Sequence, residues 1–379
     1  MRIEFYCYLF LASSFLFLSC SSEKKQSDLL EIPVDINQNS RIPLSEIAEE
    51  ITAIELELTN ESLINPDRIK RIVTSENYIF VGGMDKILVF NKSGKFVRSI
   101  GSKGQGPGEY RSIRNLAIDE TNGRLFVNAW HKIIIYDFQG NFLKESYFIN
   151  QLSGLIVDIN YINNELLIID YSMGREDANG LFNHSAIYRL NDEFQITDSC
   201  TIRNIYEPWR VSSTWAEDFI LPLDSTVYLY YPQSVQSPSS EAIMRKSPSS
   251  EAIMRDTLYC LENNRLVPEL KLKFKNNGRN GEGNLFISLN LVYRSSQYFF
   301  AEYFSYTHDI NFYCFLYDTK TGKGYNMRDG YTDDFNQIER VRIRPFNTNP
   351  DLFYYWHTHM KPDDLEEPNP TLYLGKLKK

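Results

Sequence analysis

The sequence predicts an all-β fold, a six-bladed β-propeller whose ring is closed by an N-terminal strand pairing in the last blade. Three observations carry that prediction: a chain rich in aromatic side chains, a gapless internal repeat, and one aromatic landmark that recurs along the chain. Tyr and Phe number 25 and 24, and aromatic residues make up 14% of the chain, a composition that suits pleated, half-buried strand surfaces rather than helical bundles. With 379 residues, 42% hydrophobic and 23% charged, the chain can bury a large core. There are 40 Lys and Arg against 49 Asp and Glu, a formal net charge of −9. That leaves no cationic excess to neutralise phosphates, which argues against nucleic acid as a partner and against polybasic attachment to a membrane.

The first element is an address. Residues 1–20 read MRIEFYCYLFLASSFLFLSC, with Arg2 near the start, an apolar run from Tyr8 to Leu18, then Ser19 and Cys20. The run is shorter than the about 20 apolar residues of a spanning helix and has the layout of a cleaved secretory signal. The small residue before Cys20 and the polar SSEKKQSD after it resemble the lipobox of bacterial lipoproteins. That resemblance implies cleavage before Cys20 and a lipid thioether on its sulfur. The domain reading is therefore a lipoprotein signal peptide over 1–19, a polar, aperiodic and flexible tether over 20–42, and the propeller over 43–379. Within the propeller stand Cys200, Cys260 and Cys314. An odd, widely spaced set without a CxxC pair points to apolar packing in strands rather than to zinc or a disulfide framework.

The repeat comes next. Residues 78–99, YIFVGGMDKILVFNKSGKFVRS, align without gaps on residues 124–145, RLFVNAWHKIIIYDFQGNFLKE, at an offset of 46. Each copy holds two apolar strands, a Gly-containing turn and a further strand, which is hairpin chemistry. The landmark, an aromatic residue closing a short apolar strand before a polar turn, falls at Phe90, Tyr136, Tyr188, Tyr259, Tyr317 and Tyr373, spaced by 46, 52, 71, 58 and 56 residues. Such spacings fit four-stranded propeller blades with variable loops.

Counting each landmark strand as C, the innermost strands A are expected near 69–75, 113–120, 155–162, 216–223, 287–294 and 338–344. Strands B are expected near 78–82, 124–128, 165–170, 226–231, 297–302 and 351–356. The sixth unit ends at GKLKK without room for a fourth strand, so the alternating run ITAIELEL at 51–58 is expected to supply it and close the ring. The longest spacing contains SPSSEAIMR at 237–245, repeated at 247–255. This Ser- and Pro-rich duplication is expected to form a surface loop.

Between units one and two runs IGSKGQGPGEY, residues 100–110. Its glycines permit tight turns and close backbone approach, with Glu109 and Tyr110 fixing the blade junction. It is not read as a phosphate loop, because no Lys-Ser/Thr follows and it leads into a strand instead of a helix. This connection and the hairpin after it resemble the NHL repeat. ITAIELELTNESLI followed by GQGPGEY is similar to the six-bladed β-propeller lipoproteins of Bacteroidetes. The resemblance is specific over residues 43–147 and implies a lipoprotein propeller on the outer membrane, at its periplasmic side or at the cell surface.

In a propeller the B–C and D–A connections emerge on one face, around a mouth of the central channel. His131, His184, His308, His357 and His359 all fall in or beside B–C connections, with Trp130, Tyr306 and Trp356 next to them. Trp209, Arg210 and Trp215 lie on the D–A connection into the fourth blade. The candidate ligand-binding residues are thus Trp130, His131, Trp209, Arg210, Trp215, Tyr306, His308, Trp356, His357 and His359. Aromatic faces beside charged groups suit stacking on sugars or peptides. His357 and His359 are the weak metal candidates; Asp363, Asp364, Glu366 and Glu367 form an acidic run read as a solvated face. No GxSxG, HExxH or Cys–His signature marks a catalytic residue.

The expected protein is a monomeric, lipid-anchored module outside the cytoplasm that binds a glycan, peptide or protein partner without a cofactor and without catalysis. The alternative is a metal-assisted lyase or lactonase, with His and carboxylates converging on Ca or Zn in the central channel. A third reading is a structural partner in an outer-membrane assembly, marked by an exposed apolar patch.

Overall fold

A computed structural model describes residues 29–148, 152, 154–172, 175–178, 180–207, 210–213, 219–231, 233–236, 256–278, 286–306, 309–346, 348–360 and 367–379. Six sheets stand in a ring, each with its first strand innermost. Blade one is Ile69–Thr74, Tyr78–Gly83, Ile87–Asn91 and Phe96–Ile100. Blade two is Asn115–Asp119, Arg124–Asn128, Lys132–Asp137 and Phe142–Tyr147. Blade three is Leu155–Ile162, Glu165–Tyr171, Gly180–Leu190 and Ile196–Glu207. Blade four is Ile220–Leu223, Thr226–Leu229, Thr257–Glu262 and Arg265–Phe274. Blade five is Ile287–Arg294, Tyr298–Tyr306, Ile310–Asp318 and Lys323–Arg328. Blade six takes Arg344–Phe346, Asn349–His357 and Thr371–Leu377 from the C-terminus and Ala48–Glu55 from the N-terminus.

All six landmark aromatics lie in third strands, as the spacing predicts. The polar turn after the landmark has a common cause in three blades. Asn91 Oδ1 accepts from the N–H of Ser93 and Lys95, Asp137 Oδ1 from that of Asn141, and Asn191 Oδ1 from those of Glu193 and Gln195. A short amide or carboxylate one residue after the landmark, or three after it in blade three, closes the hairpin onto its own backbone, which is why Asn and Asp recur in these turns. Between blades, apolar faces pack on each other. Val73, Phe80 and Val89 of blade one join Leu116, Leu125 and Val127 of blade two in one buried cluster. In blade six the rings of Tyr355 and Tyr373 stack at 4.7 Å.

The ring closes as expected, with Ala48–Glu55 antiparallel to Thr371–Leu377 and Ala53 opposite Tyr373; the closing strand starts three residues before the expected 51. Pairing the two ends of the chain this way covers the edge that the short sixth unit leaves open.

Two expectations are corrected. Residues 338–344 do not form the inner strand of blade six. Ile338–Val341 folds back on Tyr331–Asp333 as a separate two-stranded ribbon, and the inner strand is only Arg344–Phe346. The ribbon is fixed by Asp333, which is fully buried and accepts from Phe335 N–H, from Asn336 N–H and Nδ2, and from the Tyr355 hydroxyl. Residues 30–34, inside the stretch 20–42 expected to be a tether, form a strand. Leu30–Val34 pairs in parallel with Arg265–Phe274 along the outer edge of blade four, with Ile32 at 1% and Val34 at 4% exposure. Its apolar residues alternate, a strand signal that the polar flanks obscure.

Residues 1–28, with the expected signal and Cys20, lie outside the described residues, as does the SPSSEAIMR duplication. Cys200, Cys260 and Cys314 are buried and unpaired, and burial pushes the Cys260 thiol up to about 11.

The glycine-rich connection is a blade junction. Ser102–Lys103 pairs with Glu109–Tyr110, Glu109 Oε2 accepts from Gly106 N–H at 2.8 Å, and the Tyr110 hydroxyl donates to Ile100 O at 2.7 Å. A Cβ at Gly104 would stand 2.0 Å from Glu109 Oε2. The carboxylate therefore occupies the place a phosphate loop would offer an anion, and the glycine is needed for that close approach.

Candidate functional site

The B–C and D–A connections do share a face. Arg210–Ser213, on the D–A connection into blade four, pairs with Gln233–Gln236 on the B–C connection of the same blade. The predicted residues are distributed unevenly over this face. Trp130 sits in the B–C turn of blade two with a left-handed backbone (φ 68°), its N–H donating to Asn128 Oδ1 and its ring beneath the Arg114 guanidinium at 5.5 Å. His131 beside it is exposed. His184 is not in a connection: it lies inside the long strand Gly180–Leu190, opposite Asn204, with Nε2 3.3 Å from the Tyr188 hydroxyl. Trp209, Trp215 and His308, the side chain of Arg210, and Asp363, Asp364 and Glu366 lie outside the described residues. Glu367 is exposed at a second recess, formed with Leu63, Pro66 and Thr358.

Blade six gathers the rest. Strand Asn349–His357 ends at the mouth with Trp356 and His357, and the rings of His357 and His359 meet at 4.7 Å, edge to face. His359 Nε2 is 2.7 Å from the Tyr373 hydroxyl. Partial burial, and then the neighbouring His359, hold the His357 imidazole below its ordinary value. Because residues 338–341 leave the blade, a cavity of about 260 Å³ opens at its inner end, lined by Arg340, Arg342 and Arg344 with Glu339, Trp356 and His357.

The arginines are positioned from blade five. Glu302, 5% exposed on strand Tyr298–Tyr306, takes Arg342 Nη2 at 2.6 Å and Arg344 Nη1 at 2.7 Å. Burial alone raises the Glu302 carboxyl, but Arg344 and then Arg342 outweigh it and hold it below the ordinary glutamate value. Arg342 also lies 4.0 Å over the Phe312 ring, which touches Phe304, which touches Tyr306. Tyr306 therefore reaches the groove through two aromatic contacts, whereas Trp130 and His131 stand on blade two, with blade one between them and blade six. Among the described residues Arg340 alone of the three arginines has no carboxylate partner, and its backbone is left-handed (φ 61°).

These arginines were absent from the predicted site. The signal is in ERVRIRPF, residues 339–346, where Arg recurs at every second position of a segment assigned to a buried inner strand. The same kind of signal marks the middle of the ring. Arg71 in IKRIVT, next to Lys70, and Asp158 in LIVDINYI are charges within apolar inner strands, 1% and 0% exposed. Arg71 Nη2 meets Asp158 Oδ1 at 3.0 Å and its Nη1 donates to Ile159 O at 3.1 Å. Asp158 also accepts from Asn115 Nδ2 and from the N–H groups of Phe219 and Ile220, so one carboxylate ties the inner strands of blades one to four.

This arrangement does not suit a metal in the channel. The central carboxylate is saturated with donors and faces a guanidinium, whose charge opposes a cation. Among the described residues no three His, Cys, Asp or Glu come together, and His357 and His359 gain no third ligand.

Six blades and one ornamented face define a β-propeller with a basic and aromatic groove at its mouth. The chain belongs to the family described as "Domain of unknown function (DUF4934)", whose model matches residues 29–378. Among solved structures it is similar to a Bacteroides fragilis protein described as a "Putative exported protein", at 17% identity and a TM-score of 0.61 over 93% of this chain and 100% of that one. It also matches the WD40 domain of Neurospora crassa Pan2, at 10% identity and a TM-score of 0.37 over 82% of this chain and 76% of that one. A further match is the WD40 β-propeller domain of Doa1, at 9% identity and a TM-score of 0.40 over 87% and 98%. No curated protein matches.

Proposed function

We propose that this chain is a lipid-anchored, NHL-like propeller outside the cytoplasm that binds a glycan, peptide or protein partner at the mouth formed by its B–C and D–A connections. The observation that carries the reading is the blade-six groove. Three arginines, a tryptophan and a histidine converge at the inner end of one blade, two of the arginines fixed by a buried carboxylate. Polar groups held on rigid strands and set beside an aromatic face are what recognition requires, since their orientation is fixed before the partner arrives. Export accords with the signal-like residues 1–19 and with the description of the Bacteroides fragilis neighbour. The anchor is Cys20, and the membrane is the outer membrane.

Two experiments test this. Cys20→Ala should move the protein from the membrane fraction to the soluble one; retention in membranes would remove the anchor. A glycan and peptide array probed with wild type and with a Trp130→Ala/Trp356→Ala variant should show binding that the variant loses. Equal binding by both proteins would place recognition elsewhere.

A further inference from the structure

We infer that the blade-six groove takes a carboxylate-bearing sugar, a uronic acid within or at the end of a glycan; this rests on the groove being the binding site proposed above. Three features of the groove lead there. The first is charge. Arg342 and Arg344 share Glu302, and with Glu339 on the rim the groove holds three cations against two anions, an excess of one. Two arginines sharing one carboxylate leave that excess, and Arg340 is the guanidinium open to a ligand, since no carboxylate pairs with it among the described residues. An exposed guanidinium with both edges open presents the planar fork that matches a carboxylate with two parallel hydrogen bonds.

The second feature is backbone strain. Arg340 keeps φ at 61° within a ribbon strand, a conformation that costs a side-chain-bearing residue on the order of 1 kcal/mol. That conformation falls at a β-bulge, where Glu339 and Arg340 stand opposite Thr332, and from it Arg340 lines the groove. The third is shape. The cavity of about 260 Å³ has the Trp356 side chain on one wall and no deep apolar hole. That falls just below the roughly 300 Å³ at which pockets for drug-sized ligands begin, a space for one or two rings rather than for a folded epitope. An aromatic wall stacks on the C–H face of a pyranose while the fork takes its carboxylate. A peptide anchored by side chains in apolar pockets or by a free strand edge does not fit this lining, and an acidic peptide, which arginine clusters also bind, is the competitor that the hexaglutamate control below tests.

The experiment measures binding of the detergent-solubilised full-length protein to oligogalacturonate, oligomannuronate and a glucuronate-terminated disaccharide. Their methyl esters and a hexaglutamate peptide serve as controls. The expected result is that at least one uronate binds, that its methyl ester binds about tenfold or more weakly, and that Arg340→Gln costs the same factor. Arg340→Lys should recover part of the loss, and Trp356→Ala should weaken binding several-fold. Arg340 is exposed, so its replacement leaves the core intact; thermal melting of each variant verifies this. Esters that bind as well as acids overturn the inference, and if Trp356→Ala still weakens them the groove remains the binding site. Arg340-dependent binding of hexaglutamate without any uronate overturns the sugar class. Failure of every uronate overturns the inference, while the array above decides separately whether the mouth binds at all.

Discussion

Arg71 on the inner strand of blade one and Asp158 on that of blade three meet at 3.0 Å, passing over the blade between them. A contact that skips a neighbour is possible only across the middle of the ring. The pair therefore acts as a keystone for four blades, through Asp158 acceptance of backbone N–H groups from blade four and of Asn115 from blade two. Removing one partner of a buried pair leaves the other charge without compensation. Asp158→Ala should lower unfolding free energy by about 3–5 kcal/mol, read as a shift of the urea midpoint. A loss under about 1 kcal/mol, the size of an exposed pair, would show that the keystone is dispensable.

Glu302 should give acid unfolding a specific component. Arg344 and Arg342 depress its folded value, so its contribution is complete above the ordinary 4.5 and is lost as pH falls through the lower folded value. Glu302→Gln should be less stable at neutral pH and should show a shallower fall in stability below pH 4.5, in melts collected from pH 7 downwards. Parallel curves for the two proteins would contradict the depressed value.

Gly330 should be needed for the groove. Its φ is 124°, and a Cβ there would come within 2.5 Å of Val341 O, a backbone atom that cannot turn aside. Gly330→Ala should cost about 1–3 kcal/mol and shift the ribbon carrying Arg340, so that ligand binding weakens together with the melting temperature. A variant with wild-type melting and binding would show that the ribbon adapts freely.

Ile32 distinguishes a structural strand from a tether. At 1% exposure on the outer edge of blade four, Ile32→Ala should destabilise by about 2–4 kcal/mol. A solvated tether would tolerate the change without any shift in the denaturation midpoint.

The ring was legible from sequence because its signals are local and repeated. Alternation, the aromatic landmark and an Asn or Asp turn soon after it recur along the chain, and each landmark lands on a third strand. The inner strand of blade six was misplaced because ERVRIRPF alternates like a strand, while the reason it departs, a pair of arginines reaching Glu302 on blade five, is a contact across about 40 residues. Trp356, His357 and His359 could be placed at a strand end by position alone. Arg340, Arg342 and Arg344 could not be joined to them, since no local pattern tells which blade supplies the carboxylate that holds two of them. Leu30–Val34 was passed over because its flanks are polar and its partner lies some 240 residues away.

That N-terminal strand also fixes the face at which the described chain enters the ring. It runs parallel to the last strand of blade four, which rises from the C–D turn towards the mouth, so Leu30 stands at the end of the blade away from the groove. Only nine residues separate Cys20 from Leu30, a leash of about 35 Å at full stretch. A lipid on Cys20, as proposed, would hold the disc from that face and leave its arginine-lined mouth free of the bilayer.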